Sequence, residues 1–435
     1  MTRNGIGRTA AGLLMTAAAA VSITAPAYAA DGPLTYSLEY TADVVGVLDG
    51  GLARRGRVLD NLLLSADLDL GAAAGWSNTK AHVSLLNNTG GMPNEDVGSL
   101  QGVDNIEVGQ QRARLFELWV EHQFADGKGA VLAGLYDVNS EFYANDSAGL
   151  LLGPAFGIGS ELAATGPNGP SIFPSTALAV RARWTLSNGG YAQAAVLNAQ
   201  AGVLGDPGGI DTEFDNGVLM IGEIGWVGEG KLALGTWRYS QKQDDTRLVT
   251  AAGDPERQTA GGVYVLAERR IFGEAEAPGR TTAFLRAGLS DGTTSVFEGG
   301  WQAGILVEQP FASRPDSQFS AGMNQGFITG RERANGVDAG RNIGRTETAL
   351  ELTYADTFGR LTVQPDLQYI IRPAGDRDID NAWSRRCGSR SPTEPWPGAF
   401  RRAGRSASRR SAKRRRLLRR QGRAGRWPRP GRDAG

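Results

Sequence analysis

The sequence predicts an all-β protein, a transmembrane antiparallel β-barrel of about sixteen strands. Segments of about ten residues alternate apolar and polar positions with period two, which gives each strand one oily and one wet face. The wet face carries fixed charges in mid-strand, such as Glu117, Glu121, Arg181 and Arg183, which a water-filled lumen tolerates and lipid does not. After the N-terminal segment there is no run of roughly 18 apolar residues, so a membrane-spanning chain would have to cross with strands.

The elements follow in chain order. From Leu34 to Val45 the residues Leu34, Tyr36, Leu38, Tyr40, Ala42 and Val44 share one face, and Thr35, Ser37, Glu39, Thr41 and Asp43 the other. Asp49-Gly50-Gly51 breaks the pattern. Val58 to Leu70 repeats it, with Leu63 as an exception on the polar side, and Lys80 to Leu86 is the next strand. Met92 to Gln111 is rich in Gly, Asn and Asp and reads as a loop. Arg112 to Phe124 and Gly129 to Tyr136 flank the turn Asp126-Gly127. Residues 138–175 read as a long loop with short helices.

Thr176 to Leu186 and Tyr191 to Asn198 flank Asn188-Gly189-Gly190, a hairpin signal. Val218 to Trp226 and Lys231 to Tyr239 flank Gly228-Glu229-Gly230. Further strands are Gly262 to Phe272, Thr281 to Leu289, Val296 to Val307, Gln318 to Phe327 and Glu347 to Tyr354. Leu361 to Pro373 is a two-faced strand interrupted by Pro365, which predicts a bulge or local break. Tyr36, Tyr40, Trp184, Trp237 and Tyr354 lie near strand ends, as aromatic girdles on the oily face would.

The first thirty residues read as an address. Arg3 and Arg8 form a positive n-region, Ala10 to Ile23 an apolar run, and Ala27-Tyr28-Ala29 a cleavage site. Residues 1–29 are therefore expected to be a signal peptide that sends the chain through the Sec pathway to the outer membrane of a Gram-negative cell. Residues 30–383 would form the barrel. The only cysteine is Cys387, so no disulfide framework exists.

The zero formal charge hides two unlike parts. Residues 385–435 hold 17 Arg and one Lys against Glu394 and Asp433, so 18 − 2 = +16; residues 1–384 keep 28 basic and 44 acidic groups, so 28 − 44 = −16. The stretch 384–435 is read as an aberrant, disordered tail. It could bind nucleic acid or anionic lipid through Arg405 to Arg420, be a solvated extension, or be an out-of-frame translation of a G/C-rich gene. The last reading is favoured, because the composition switches where a strand should start.

Three stretches carry a resemblance. They are Arg114-Leu115-Phe116-Glu117-Leu118-Trp119-Val120-Glu121, Ala133-Gly134-Leu135-Tyr136-Asp137-Val138-Asn139-Ser140-Glu141-Phe142 and Val363-Gln364-Pro365-Asp366-Leu367-Gln368-Tyr369-Ile370, with Leu100 to Glu107 between strands. Together they resemble the carbohydrate-selective porins of the OprB type over about residues 34 to 383. The resemblance implies a sixteen-stranded barrel that lets sugars diffuse through the outer membrane. Family members end on a closing strand that finishes with an aromatic residue. Here Asp380-Asn381-Ala382-Trp383 leads into Arg, Ser, Pro and Gly instead. The closing strand is therefore expected to be missing or replaced by the basic tail, which would leave open edges and poor insertion.

For such a channel the site is a constriction. A sugar presents hydroxyls in a ring and apolar C–H faces, so carboxylates and guanidinium groups would bind the hydroxyls and an aromatic would stack on a face. Lumen-parity candidates are Glu39, Asp43, Asp67, Glu117, Trp119, Glu121, Arg181, Arg183, Glu347, Glu351, Asp366 and Gln368. Arg181, Arg183, Glu117 and Glu121 are favoured as opposite charges across a pore, with Trp119, Glu39 and Asp43 beside them.

His82 and His122 are the only histidines, and no phosphate loop or metal-ligand spacing is present. An enzyme, a cofactor and a bound metal are not expected. The expected partners are small sugars such as glucose as permeants and outer-membrane lipid, with no nucleic acid, in a monomer or homotrimer. The alternatives are an exported soluble glycan-binding β-protein, a general non-selective porin, or an outer-membrane enzyme.

Overall fold

Strands with one oily and one wet face pair edge to edge until the sheet meets itself. The computed structural model describes residues 25–29, 32–206, 208–274 and 277–390. The barrel strands are β1 (Leu34–Asp49), β2 (Gly56–Asp69), β3 (Thr79–Gly90), β4 (Arg112–Phe124), β5 (Gly129–Tyr136), β6 (Ala177–Thr185), β7 (Gly190–Asn198) and β8 (Val218–Val227). They continue as β9 (Gly230–Tyr239), β10 (Gly261–Phe272), β11 (Arg280–Ser290), β12 (Phe297–Glu308), β13 (Gln318–Ile328), β14 (Thr346–Phe358), β15 (Leu361–Ile371) and β16 (Ala382–Arg390). Each pairs antiparallel with the next, and β16 pairs with β1, which closes a sixteen-stranded barrel. Among the described residues no helix is long and apolar enough to cross a membrane.

The oily face points outward. Val180, Ile224, Leu232, Leu234 and Leu285 are each more than half exposed. A soluble sandwich would hide these side chains in its core, whereas an apolar belt around a closed ring matches acyl chains. Tyr36, Trp184, Trp226, Phe272, Phe358 and Trp383 are exposed large aromatics. Trp237 departs from the expected girdle. It shares the parity of Ala233 and Tyr239 on β9 and is buried inside against Tyr264, while Leu232 and Leu234 take the outer face.

The long connections 91–111, 137–176, 199–217, 240–260, 329–345 and 372–381 all leave from one end, and short turns such as 125–128, 186–189 and 228–229 close the other. In barrels of this type long loops face outside the cell and short turns face the periplasm. Segments 91–111 and 137–176 fold inward and fill the upper lumen. Val97, Val103, Val47, Ile370 and Ala382 form one apolar cluster there; Ile106 packs with Val45 and Leu59 in another. Phe142, Tyr143, Ile158 and Leu162 join wall residues such as Leu197, Leu219, Ile221 and Leu266. The inward face of the upper strands therefore carries apolar side chains as well as polar ones, because it meets protein rather than water. Leu63, the exception noted in the sequence, packs on Leu86, Val108, Phe116 and Phe173 for the same reason.

The expectation about the closing strand changes. The closing strand is present: β16 runs from Ala382 across the 383/384 boundary and uses the first residues of the basic stretch. The open edge and the poor insertion expected from it do not follow. The rest of the tail, 391–435, lies outside the described residues, as does most of the expected signal peptide. Its last residues, Ala25–Ala29, form a short strand against Thr35–Leu38 of β1, while β16 pairs with Ala42–Asp49 of the same strand. At Pro365 the expected local break is present without a bulge: the β14–β15 ladder has no pairs at Gln364 and Pro365. Thr353 pairs with Asp366 and Asp356 with Val363, so the register is the same on both sides of the proline.

Candidate functional site

The inward parity of the strands places charge where the infolded loops need partners. Glu347 on β14 accepts hydrogen bonds from the Leu100 N–H at 2.9 Å, the Gln101 N–H at 3.0 Å, the Ser99 hydroxyl at 2.7 Å and the Ala374 N–H at 2.6 Å. Glu351 accepts from the Leu152 N–H and, at 2.8 Å, the Gly153 N–H. Gln368 on β15 donates to the Val103 carbonyl at 3.0 Å. These wall groups satisfy loop backbone that the lumen would otherwise leave buried and unpaired.

Segment 137–176 has its own struts. Arg286 on β11 is fully buried and donates to the carbonyls of Tyr143, Ala155 and Gly157 at 3.1, 2.9 and 2.9 Å. Glu223 on β8 accepts from the Tyr143 N–H at 3.0 Å and from the hydroxyls of Tyr191 and Tyr264, both at 2.7 Å. Tyr143 stacks on Tyr264 with ring centroids 4.0 Å apart and donates to Glu161 at 2.8 Å. Burial in the loop raises the Glu161 carboxyl above its ordinary range. Gly288 of the wall lies directly under this carboxylate, so a Cβ there would collide with Glu161.

Among the residues expected at the site, Arg181 and Glu121 come together. The guanidinium reaches Glu121 at 2.6 Å and Glu141 of the 137–176 segment at 2.6 and 3.0 Å. Arg181 and Glu121 are buried in one wall, so they do not face each other across open water. The reason is the loop: Glu141 swings in and covers them. Glu117 is also buried, accepting from the Trp119 indole at 3.3 Å and the Asp137 N–H at 3.2 Å. Asp43 is buried against Arg386. Trp119 is half-buried, and His82 stacks on it at 5.0 Å, so that one ring face is already taken. His82 bonds Asp67 at 2.8 Å, and Lys80 sits 5.3 Å from the Trp119 centroid. Glu39 is half-buried at the lumen parity of β1. Glu347, Glu351, Asp366 and Gln368 are buried under the loops.

Asp67 stays exposed, and Arg183 is the favoured residue that stays at a water-facing surface. It lies over the Tyr191 ring at 5.0 Å and 3.7 Å from Glu141. It lines a cavity of about 900 Å³ below the infolded loops, toward the short-turn end. Glu141, Asp146, Glu229, Glu268 and Glu308 line it with Lys231, Arg270 and Arg280. Lys231 donates to the Ala144 carbonyl at 2.6 Å, and Glu268 accepts from the Ser147 hydroxyl at 2.6 Å. Burial and then Glu268 raise the Asp146 carboxyl. Lys231, Glu268, Arg270, Arg280 and Glu308 were not singled out from the sequence. Their signal was available: each sits at inward parity at the short-turn end of its strand, where the 137–176 segment reaches only Lys231 and Glu268 among them. Among the described residues no group of three or more His, Cys, Asp or Glu could hold a metal ion.

Residues 53–384 match the family described as "Carbohydrate-selective porin, OprB family". Porin B of Pseudomonas aeruginosa is 25% identical over 389 residues, covering 80% of this chain and 85% of that protein. A putative porin QuiX of Acinetobacter baylyi is 21% identical over 374 residues, covering 77% and 84%. The high-pH structure of Pseudomonas putida OprB superposes with a TM-score of 0.73 at 21% identity, covering 83% of this chain and 94% of that one.

Proposed function

The chain belongs to the OprB family of carbohydrate-selective porins, a sugar-selective channel of the Gram-negative outer membrane, and from that premise we propose which part of it meets the sugar. The solute path runs through the chamber walled by Arg183, Lys231, Glu268, Arg270, Arg280 and Glu308. The permeants are monosaccharides such as glucose, moving passively, and no reaction is catalysed. Residues 1–29 act as a leader that is removed on export.

One observation carries the reading: carboxylates and cationic donors together line a single chamber, with Arg280 and Glu308 paired in its wall. Carboxylates only accept hydrogen bonds, and Lys and Arg only donate them. A hydroxyl does both, so each sugar hydroxyl finds partners wherever it turns. A simple ion is favoured by one sign of wall and repelled by the other. The wall thus exchanges a sugar's water for protein without trapping it, which conduction requires.

Liposome swelling tests this. Monosaccharides should enter faster than amino acids of similar size. Equal rates would reduce the protein to a non-selective pore. Glucose added to single-channel recordings should lower the ion current reversibly, and substitution of chamber residues should weaken that block.

A further inference from the structure

Arg386 stands on β16 with its side chain 2% exposed. Its Nη2 pairs with Asp43 of β1, and its Nη1 lies 3.4 Å from Asp104 of the 91–111 segment. Asp366 of β15 is a further charge acting on the guanidinium. Asp366 lies against Glu351 of β14, on which Arg386 also acts. Glu351 holds the Leu152 and Gly153 N–H groups of segment 137–176. One guanidinium therefore serves carboxylates from four separate pieces of chain, two of which belong to or directly hold the infolded loops. Carboxylates buried this way need a cation, and a planar fork that can reach two partners suits the task better than an ammonium. Arg386 lies past residue 384, where the family match ends.

We propose that Arg386 is a positioning residue for conduction. Acting through Asp104 and Glu351, it holds both infolded segments against the β14–β16 and β1 side of the lumen. The chamber is walled by strands from β6 to β12, half a circuit away, and the solute path is confined there. The proposal concerns where the path runs and does not depend on which solute uses it.

The test uses the full chain in planar bilayers under a KCl gradient, with Arg386→Gln, Arg386→Lys and Asp104→Asn. Arg386→Gln leaves the carboxylates without their cation and frees the loops. Its conductance should rise about twofold, with frequent substates and a reversal potential shifted toward potassium, since a wider and more negative path favours cations. Arg386→Lys should restore the reversal potential and only part of the quiet open state. Asp104→Asn loosens one loop while the seam pair with Asp43 stays. It should add substates while heat-modifiable migration on gels remains that of the parent. If Arg386→Gln folds and conducts like the parent, or if it loses only thermal stability with unchanged selectivity, the proposal is overturned. Should that variant fail to assemble, a silent Asp104→Asn overturns it instead.

Discussion

The guanidinium of Arg181 on β6 reaches over β5 to Glu121 on β4, with Nη2 and Oε2 2.6 Å apart and both side chains nearly inaccessible to water. The pair is completed by Glu141, which arrives from the infolded loop. Removing the cation leaves Glu121 with Lys80 at 3.4 Å and Glu141 with Arg183 at 3.7 Å as their remaining cations, so Arg181→Ala should cost about 3 kcal/mol. The check is the temperature at which the barrel loses its compact gel mobility, which should fall clearly. Arg181→Ala combined with Glu121→Ala should recover part of the loss, because the second change removes a stranded charge.

Arg183 gives the contrasting case. It is half-exposed to the chamber, and its contact with Glu141 is 3.7 Å. Arg183→Ala should change stability by about 1 kcal/mol or less. Glucose block of the ion current should weaken several-fold, and cation preference should rise. A variant with unchanged block and unchanged selectivity would remove Arg183 from the solute path.

Segment 91–111 carries a pH-dependent element. Burial, with Asp104 and Glu95 adding repulsion, pushes the Glu107 carboxyl up to about 8, although it accepts the Asn94 N–H at 2.9 Å. The folded state thus holds a proton that the unfolded state releases near the ordinary value of 4.5. Stability from this group is full below the unfolded value and falls as pH rises through about 8. Channel noise should therefore grow between neutral pH and about 9, and Glu107→Gln should abolish the rise. Equal noise in parent and variant at every pH would count against it.

Arg385 sits on the outer face of β16, between Trp383 and Cys387, exposed where its neighbours meet lipid. A cation on the lipid face costs up to about 2–4 kcal/mol at the midplane and less toward the interfaces. Arg385→Leu should raise thermal stability by about 1–3 kcal/mol, read from the same gel transition, with conductance unchanged.

Much of this fold was legible because a two-residue period survives in nearly every strand, and turn residues mark each reversal. Leu34 to Val45 and Thr176 to Leu186 show it cleanly. The site was less legible for a physical reason. Parity tells which side chains point inward, but not whether water or a loop awaits them. Glu117, Arg181 and Asp43 share the parity of Arg183, yet all three are buried. The 137–176 segment covers Glu117 and Arg181, and Arg386 with the 91–111 segment covers Asp43; neither segment's path has a periodic signature. The closing strand was missed because Ser384, Arg386 and Gly388 alternate with Arg385, Cys387 and Ser389, a pattern without an oily face. It is recruited by the edges on either side, not by its own propensity.

The anchors of the infolded segments carry a consequence in time. Leu100 waits for Glu347, 247 residues downstream, and Gly153 for Glu351, 198 downstream. Neither plug can seat until the last quarter of the chain is in register. Both anchors stand on β14, two strands before the β16–β1 seam that shuts the ring, so the partners of each plug are already in the sheet when the cylinder closes around them.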